Sequence, residues 1–166
     1  MRTWRFITLL LVALTLGLSF AHTLELPAKL GYDGPLYVTV QQTLYRWWGP
    51  PFVGAFLEPG AVLATAVLAF LMRRRRRRTL ALTLAATVLL LLAFPAVFFL
   101  AVEPANTAFR QATPQAPPAD WMRLRVQWEY GHAARFALRL AAFAALLASF
   151  TTTEAAPVQP ERAPTR

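Results

Sequence analysis

Residues 121–150, WMRLRVQWEYGHAARFALRLAAFAALLASF, combine groups suited to acid–base chemistry with a run that is apolar enough for lipid. Six polar or aromatic side chains follow one another in alternating steps of four and three, so a helix carries them on one face. Because a charge facing lipid costs roughly 3 kcal/mol or more, we expect this face to point into a helical bundle or a wet cavity. These residues are Trp121, Arg125, Trp128, His132, Arg135 and Arg139.

A carboxylate lies inside another apolar run, FVGAFLEPGAVLATAVLAFLM, at Glu58. An ionisable group inside a membrane span marks a functional site or pairs with an opposite charge. We predict that Glu58 pairs with Arg135 or Arg139 inside the bundle. Two alternatives stay open from the sequence: a functional role for Glu58, and a polar face whose arginines reach the headgroups while its tryptophans belong to the aromatic belt.

Histidines and acids recur at helical spacing. HTLE places His22 and Glu25 three residues apart, and EYGH places Glu129 and His132 three apart. A carboxylate from each of two helices and a Glu/His pair from each of two others form the ligand set of di-iron and di-manganese bundles. The alternative is a pair of hydrogen-bonded histidines and no metal. The candidate ligands are His22, Glu25, Glu58, Glu103, Glu129 and His132.

A family resemblance lies in the second half of the chain. The pattern Pro-x-Asn at 104–106, then a Trp, then Arg-x-x-Trp-x-x-x-His-x-x-Arg at 125–135, resembles the anthrone-oxygenase-like family of small four-helix membrane proteins, much of which carries only a domain-of-unknown-function label. Members with known activity oxidise anthrones to anthraquinones with dioxygen. The resemblance implies roles for Asn106, Trp121, Trp128, His132 and Arg135, and HTLELPAKLGYDGP departs from the family pattern.

We therefore expect a membrane oxygenase for an apolar aromatic or quinone-like substrate. His132 would act as the general base on an acidic C–H, and Asn106 and Arg135 would stabilise the oxyanion, with Trp128 beside them. Carbanion attack on dioxygen needs no cofactor. In a variant of this hypothesis, a metal bound by the candidate ligands takes part in the reaction. The alternative is a non-catalytic membrane protein that binds a lipid or small molecule or serves as a partner subunit. The predicted substrate-binding residues are Trp47, Trp48, Trp121 and Arg125.

The elements that position these groups are apolar helices. Of 166 residues, 57% are hydrophobic, and the apolar runs approach the roughly 20 residues that span a bilayer. The chain has no Cys, which excludes disulfides and thiolate sites. The sequence predicts an all-α, integral membrane four-helix bundle over residues 1–150. The expected spans are about 4–21, 52–72, 79–102 and 133–150, with a kink at Pro95 in the third.

The segments 22–51 and 103–132 lie between these spans on one side. Pro27, Gly31, Gly34 and Pro35 interrupt the first of them, and LYVTVQQTLYRWW is expected to form a short interfacial helix. We interpret 103–120 as a Pro/Ala-rich connection, Asp120 as the N-cap of the helix that opens at Trp121, and 151–166 as a disordered cytoplasmic tail.

The net charge of +9 is concentrated where it sets topology. Six arginines at 73–78 lie between two spans, and Arg2, Arg5, Arg162 and Arg166 fall on the same side of a four-span chain. The positive-inside rule then predicts a multi-pass protein of the plasma or inner membrane with both termini cytoplasmic, and no nucleic-acid partner. Alternatively, residues 1–21 are a signal peptide that is cleaved before His22.

Overall fold

The structure is a computed structural model that describes residues 2–49, 52–74 and 77–151. The expectation of a disordered tail falls on residues beyond 151 and so lies outside the described residues. The part of the chain that is described is helical, with one isolated bridge between Thr113 and Ala116 and no strand. The predicted all-α class is therefore confirmed.

Four helical stretches are long and apolar enough to cross a membrane, as the sequence predicts. Three of them, of 28, 35 and 31 residues, exceed the expected spans and the roughly 20 residues that cross a hydrocarbon core. The surplus residues of the first and fourth stretches lie at the C-terminal end of α1 and the N-terminal end of α6, which we call their projecting ends. The helices are α1 Arg2–Lys29, α2 Gly34–Thr43, α3 Val53–Leu71, α4 Arg77–Leu91, α5 Glu103–Gln111 and α6 Trp121–Thr151.

The third stretch runs from α4 to α5 through a wider, π-helical segment, Leu92–Val102. Phe94 has non-helical backbone angles there (φ −129°, ψ 121°), as expected for a residue that precedes a proline. The predicted kink at Pro95 is confirmed. The predicted Pro/Ala-rich connection over 103–120 begins later than expected, since residues 103–111 continue the third stretch as α5.

The segment after the first span also differs from the prediction. Pro27 does not end α1, which continues to Lys29, so His22 and Glu25 lie on the same helix as the apolar run. The expected short helix is α2, capped by the Asp33 side chain and followed by a 3₁₀ turn, Tyr45–Trp47. Both pack against the projecting ends of α1 and α6. At α6, the start at Trp121 is confirmed, but the Asp120 carboxylate binds Arg123.

The bundle has two cores. The first, which we call the arginine-end core, lies toward Arg5, whose guanidinium is over the Phe150 ring. The second, the cavity-end core, lies among α2, α5, the π-helical segment and the start of α6. The arginine-end core consists of Val12, Ala61, Leu68, Met72, Ala86, Leu90, Ala142 and Leu146. The cavity-end core consists of Tyr37, Val38, Tyr45, Phe98, Val102, Ala105, Phe109, Leu124 and Trp128.

Candidate functional site

A cavity of about 790 Å³ opens at the cavity end, between α1, α6 and the helices that pack on their projecting ends. Its volume lies within the range of small-molecule sites. Aromatic rings form much of its wall, including Trp48, Phe98 and Trp128, and imidazole, amide and guanidinium groups reach it from α1, α5 and α6. We call it the outer cavity. It can hold an apolar ring system beside groups that transfer protons or bind anions.

Two histidines face each other on the wall of the outer cavity. The ring centroids of His22 and His132 are 4.1 Å apart, and the Trp128 ring is 5.0 Å and 4.1 Å from them. Each histidine is only 6% exposed. Among the described residues, neither Nδ1 has a hydrogen-bond partner. Both imidazole rings line the cavity, so the pair can contact a ligand that is bound there.

Asn106 is fixed next to this pair by the indole of Trp128. The Trp128 Nε1–H donates to Asn106 Oδ1 at 2.7 Å, and the Asn106 amide donates to Glu103 Oε2 at 3.0 Å. Asn106 therefore joins α5 to α6 and lines the cavity at the same time. The sequence predicted Asn106, Trp128 and His132 as one group, and the structure brings them together.

Glu58 lies between two arginines, as predicted from its place in an apolar span. Arg135 Nη2 donates to Glu58 Oε2, and Arg139 Nη2 lies 2.6 Å from the same oxygen. Arg135 also donates through Nε to the Ala93 carbonyl at 3.0 Å, beside the kink in the third stretch. Arg139 donates to the Ser19 hydroxyl and to the Thr15 carbonyl. All three side chains line the outer cavity: Glu58, Arg135 and Arg139.

A second buried ion pair lies behind the aromatic wall, and the sequence did not indicate it. Lys29 Nζ is 2.9 Å from Glu129 Oε2 and 3.5 Å from Glu25 Oε2, and it lies 4.6 Å from the Trp128 ring centroid. The Lys29 side chain is 2% exposed and that of Glu129 is 0% exposed. This pair holds the end of α1 against α6 and supports the indole that contacts both histidines.

Two tyrosines complete this second network. Tyr37 donates to Glu129 Oε1 at 2.9 Å and accepts from Gln41 Nε2 at 3.0 Å, while Tyr45 donates to Glu25. Burial raises the pKa of Tyr37 above its usual value, and the Glu129 carboxylate raises it further. Burial also raises the pKa of Tyr45, and its hydrogen bond to Glu25 raises that pKa further. Both phenols therefore stay protonated and serve as donors.

Three residues predicted to bind substrate do not line the outer cavity. Trp47 is 56% exposed and stacks on Phe52, with ring centroids 4.4 Å apart. Trp121 packs beside the cavity-end core under the Arg125 guanidinium, and Arg125 donates to the Tyr32 carbonyl at 2.6 Å. The helical periodicity correctly placed Trp121 and Arg125 on the same face of α6 as His132. Both residues lie nearer the start of the helix, however, and do not reach the cavity. Trp48 lines the cavity as predicted.

The six candidate metal ligands are not brought together. Residues 2–49, 52–74 and 77–151 contain no group of three or more His, Cys, Asp or Glu side chains that could hold a metal ion. The carboxylates are occupied by cations or hydroxyls instead: Glu58 by two arginines, Glu129 by Lys29 and Tyr37. Glu25 binds Tyr45 and Lys29, and Glu103 binds Asn106 and Arg110. His22 and His132 converge on each other, and Glu25 and Glu129 converge on Lys29.

Comparison with known proteins adds no relative. A scan against protein-family models, a search of curated proteins and a search of solved structures each found no match for this chain.

Proposed function

We propose that this chain is an integral membrane oxygenase that oxidises an apolar aromatic or quinone-like molecule in the outer cavity. The resemblance to anthrone oxygenases motivates the reaction, and one observation of the site carries it: two facing imidazoles line an aromatic cavity together with Asn106 and Arg135. An apolar substrate can reach such a site from the bilayer. A base, oxyanion donors and ring-stacking surfaces are the groups that carbanion chemistry needs.

The proposed steps balance without another reactant. His132 removes a proton from the acidic C–H, and the substrate oxygen that gains charge is stabilised by Arg135 and Asn106. The carbanion reduces dioxygen and forms a C–O bond to it, and the protonated imidazole returns its proton to the peroxide. Loss of water then leaves a carbonyl, so the CH₂ carbon loses four electrons and dioxygen accepts four. His22, which faces His132, is the second base for the proton released in the last step.

Dioxygen consumption by the purified full-length chain tests this proposal. The assay uses a panel of anthrones and quinols in lipid nanodiscs, and product formation is followed by absorbance. We expect one dioxygen consumed per carbonyl formed with at least one anthrone, whose CH₂ carbon becomes that carbonyl. If the protein binds members of the panel but consumes no dioxygen with any of them, it is a non-catalytic membrane protein that binds small molecules.

A metal variant of the reaction is separable from the metal-free one. Loss of turnover in His22→Ala would not by itself indicate a metal. The His22 and His132 ring centroids are 4.1 Å apart, so this variant also removes a contact of the proposed base. Metal analysis of active protein therefore decides the question: activity without stoichiometric metal supports imidazole as the base, and one or more bound metal ions per chain contradicts it.

The membrane and the orientation are part of the same proposal. The chain resides in the plasma or inner membrane with both termini cytoplasmic. Arg2 and Arg5 before the first span and the six arginines at 73–78 lie on one side of a four-span chain, which the positive-inside rule makes the cytoplasmic side. The outer cavity then opens in the leaflet away from the cytoplasm. Reporter fusions after residue 76 and after residue 112 should report opposite sides. The same side for both contradicts this orientation.

A further inference from the structure

The inner wall of the outer cavity carries more positive than negative charge. Arg135 and Arg139 are 1% and 3% exposed and share a single carboxylate oxygen, Glu58 Oε2. Two guanidinium groups with one carboxylate leave one positive charge in an apolar span. A buried charge without compensation is strongly unfavourable, so a negative group in the cavity would be bound here.

The remaining acids near the site do not cancel this charge. Glu58 is the only acidic side chain among the described residues that line the cavity. Glu25 and Glu129 share Lys29 behind the Tyr45 and Trp128 rings, and the Glu25 side chain is 36% exposed, so solvent screens it. At the mouth, Arg110 is paired with Glu103, whereas the exposed Arg46 lines the cavity and adds a positive charge.

His132 and Arg139 lie on one face of α6 and both line the cavity, so one ligand can contact both. Arg139 follows His132 by seven residues, which is two turns or about 10 Å along a helix. A fused aromatic ring system has a length of this order. An acidic group held at Arg139 would therefore leave the opposite end of such a ring system near His132, with its faces against Trp48 and Trp128.

We propose that the outer cavity selects an amphipathic anion, an aromatic acid whose carboxylate or phenolate binds the guanidinium group of Arg139. This inference rests on the proposed function in that it names the substrate class of the same site. Charge-assisted hydrogen bonds from arginine to an oxyanion provide the selectivity, and the aromatic wall provides the affinity for the apolar body.

The test compares two nearly isosteric probes, the anion anthraquinone-2-carboxylate and the neutral anthraquinone-2-carboxamide. Binding to the full-length chain in phosphatidylcholine nanodiscs is followed by quenching of tryptophan fluorescence. We expect the carboxylate to bind roughly tenfold more tightly than the carboxamide, as for a hydrogen bond to a charged group. Arg139→Gln should remove most of this preference, because Glu58 and Arg135 then form a neutral pair.

Two further variants separate charge from folding. Arg139→Lys keeps the positive charge and should keep most of the preference, and Arg123→Gln removes an exposed arginine that pairs with Asp120 far from the cavity and should change nothing. A melting temperature close to that of the wild type shows that Arg139→Gln is folded. Equal affinity for both probes, binding of neither, or an undiminished preference in Arg139→Gln overturns the inference.

An anionic lipid is the competing source of the oxyanion. Nanodiscs that contain phosphatidylglycerol should not displace the carboxylate probe if the occupant is an aromatic acid. Displacement would assign the site to a lipid headgroup and overturn the aromatic acid. The proposed function fails independently of this inference: selective binding of the carboxylate without dioxygen consumption rejects the oxygenase, and dioxygen consumption with equal affinity for both probes rejects the anion.

Discussion

The two ends of the bundle hold their polar groups in different ways. At the arginine end, buried hydroxyls donate within their own helix, as Thr65 does to the Ala61 carbonyl and Thr83 to that of Thr79. At the cavity end, buried ions pair between helices, as Glu58 does with Arg135 and Glu129 with Lys29. Local hydroxyl bonds satisfy a helix at little cost, whereas buried ion pairs are expensive to desolvate.

This difference indicates which end of the bundle holds the functional site. The arginine-end core packs small and aliphatic side chains, as is usual for helices that only need to associate in lipid. The cavity-end core includes indole and phenol rings and surrounds charged groups that stability alone does not require. A site that must bind or transform a polar ligand explains such groups, and the outer cavity lies among them.

The largest effect is expected at Glu58. Glu58→Leu leaves two buried guanidinium groups without a carboxylate and should lower the free energy of unfolding by about 3–5 kcal/mol. Replacing all three residues, with Arg135→Met and Arg139→Leu added, should cost much less because no charge remains buried. Reversible unfolding in mixed micelles measures both variants. Equal losses in the single and triple variants would show that the pairing is not the cause.

A smaller effect is expected at Lys29. Lys29→Met leaves the Glu129 carboxylate with Tyr37 as its remaining donor and should cost roughly 3 kcal/mol. Adding Glu129→Gln should recover much of this, because the amide oxygen still accepts from Tyr37. Glu25→Gln is the matched control: its side chain is 36% exposed, so its pairing with Lys29 should be worth less than about 1 kcal/mol. No recovery in the double variant would mean that Lys29 acts through packing alone.

The smallest effect is expected at the arginine end. Thr65 is completely buried, but its hydroxyl donates only to the carbonyl of Ala61, which the helix backbone also uses. Thr65→Val keeps the shape and removes that donor, so the free energy of unfolding should change by less than about 1 kcal/mol. The same unfolding assay applies. A loss comparable to that of Lys29→Met would remove the contrast between the two ends.

The sequence was sufficient for the features that depend on one helix at a time. Apolar length predicted the four spans, and steps of four and three predicted the buried face that carries Trp128, His132 and Arg135. The partners of Glu58 were predictable because few cations can reach a carboxylate in an apolar span. Each of these inferences uses only the periodicity or hydropathy of a local segment.

Contacts between helices could not be predicted in the same way. Pro27 was interpreted as a helix breaker, which hid the continuation of α1 and with it the buried Lys29. One signal was available: Glu25 and Lys29 are four residues apart, a spacing that favours an ion pair on a helix. The depth of Trp47 and the pairing of each acid depend on how α2 and α5 pack, which no periodicity specifies.

The central claim is that the face of α6 at His132 is reactive and not structural. The most direct measurement is the rate of dioxygen consumption by His132→Ala with a substrate identified on the wild type, together with its melting temperature. We expect at least a roughly 100-fold loss of turnover with the melting temperature retained, because a general base contributes that much or more. Tyr130→Phe, at an exposed position of the same helix, should be fully active. Full activity in His132→Ala, or a bundle that no longer folds, would contradict the claim.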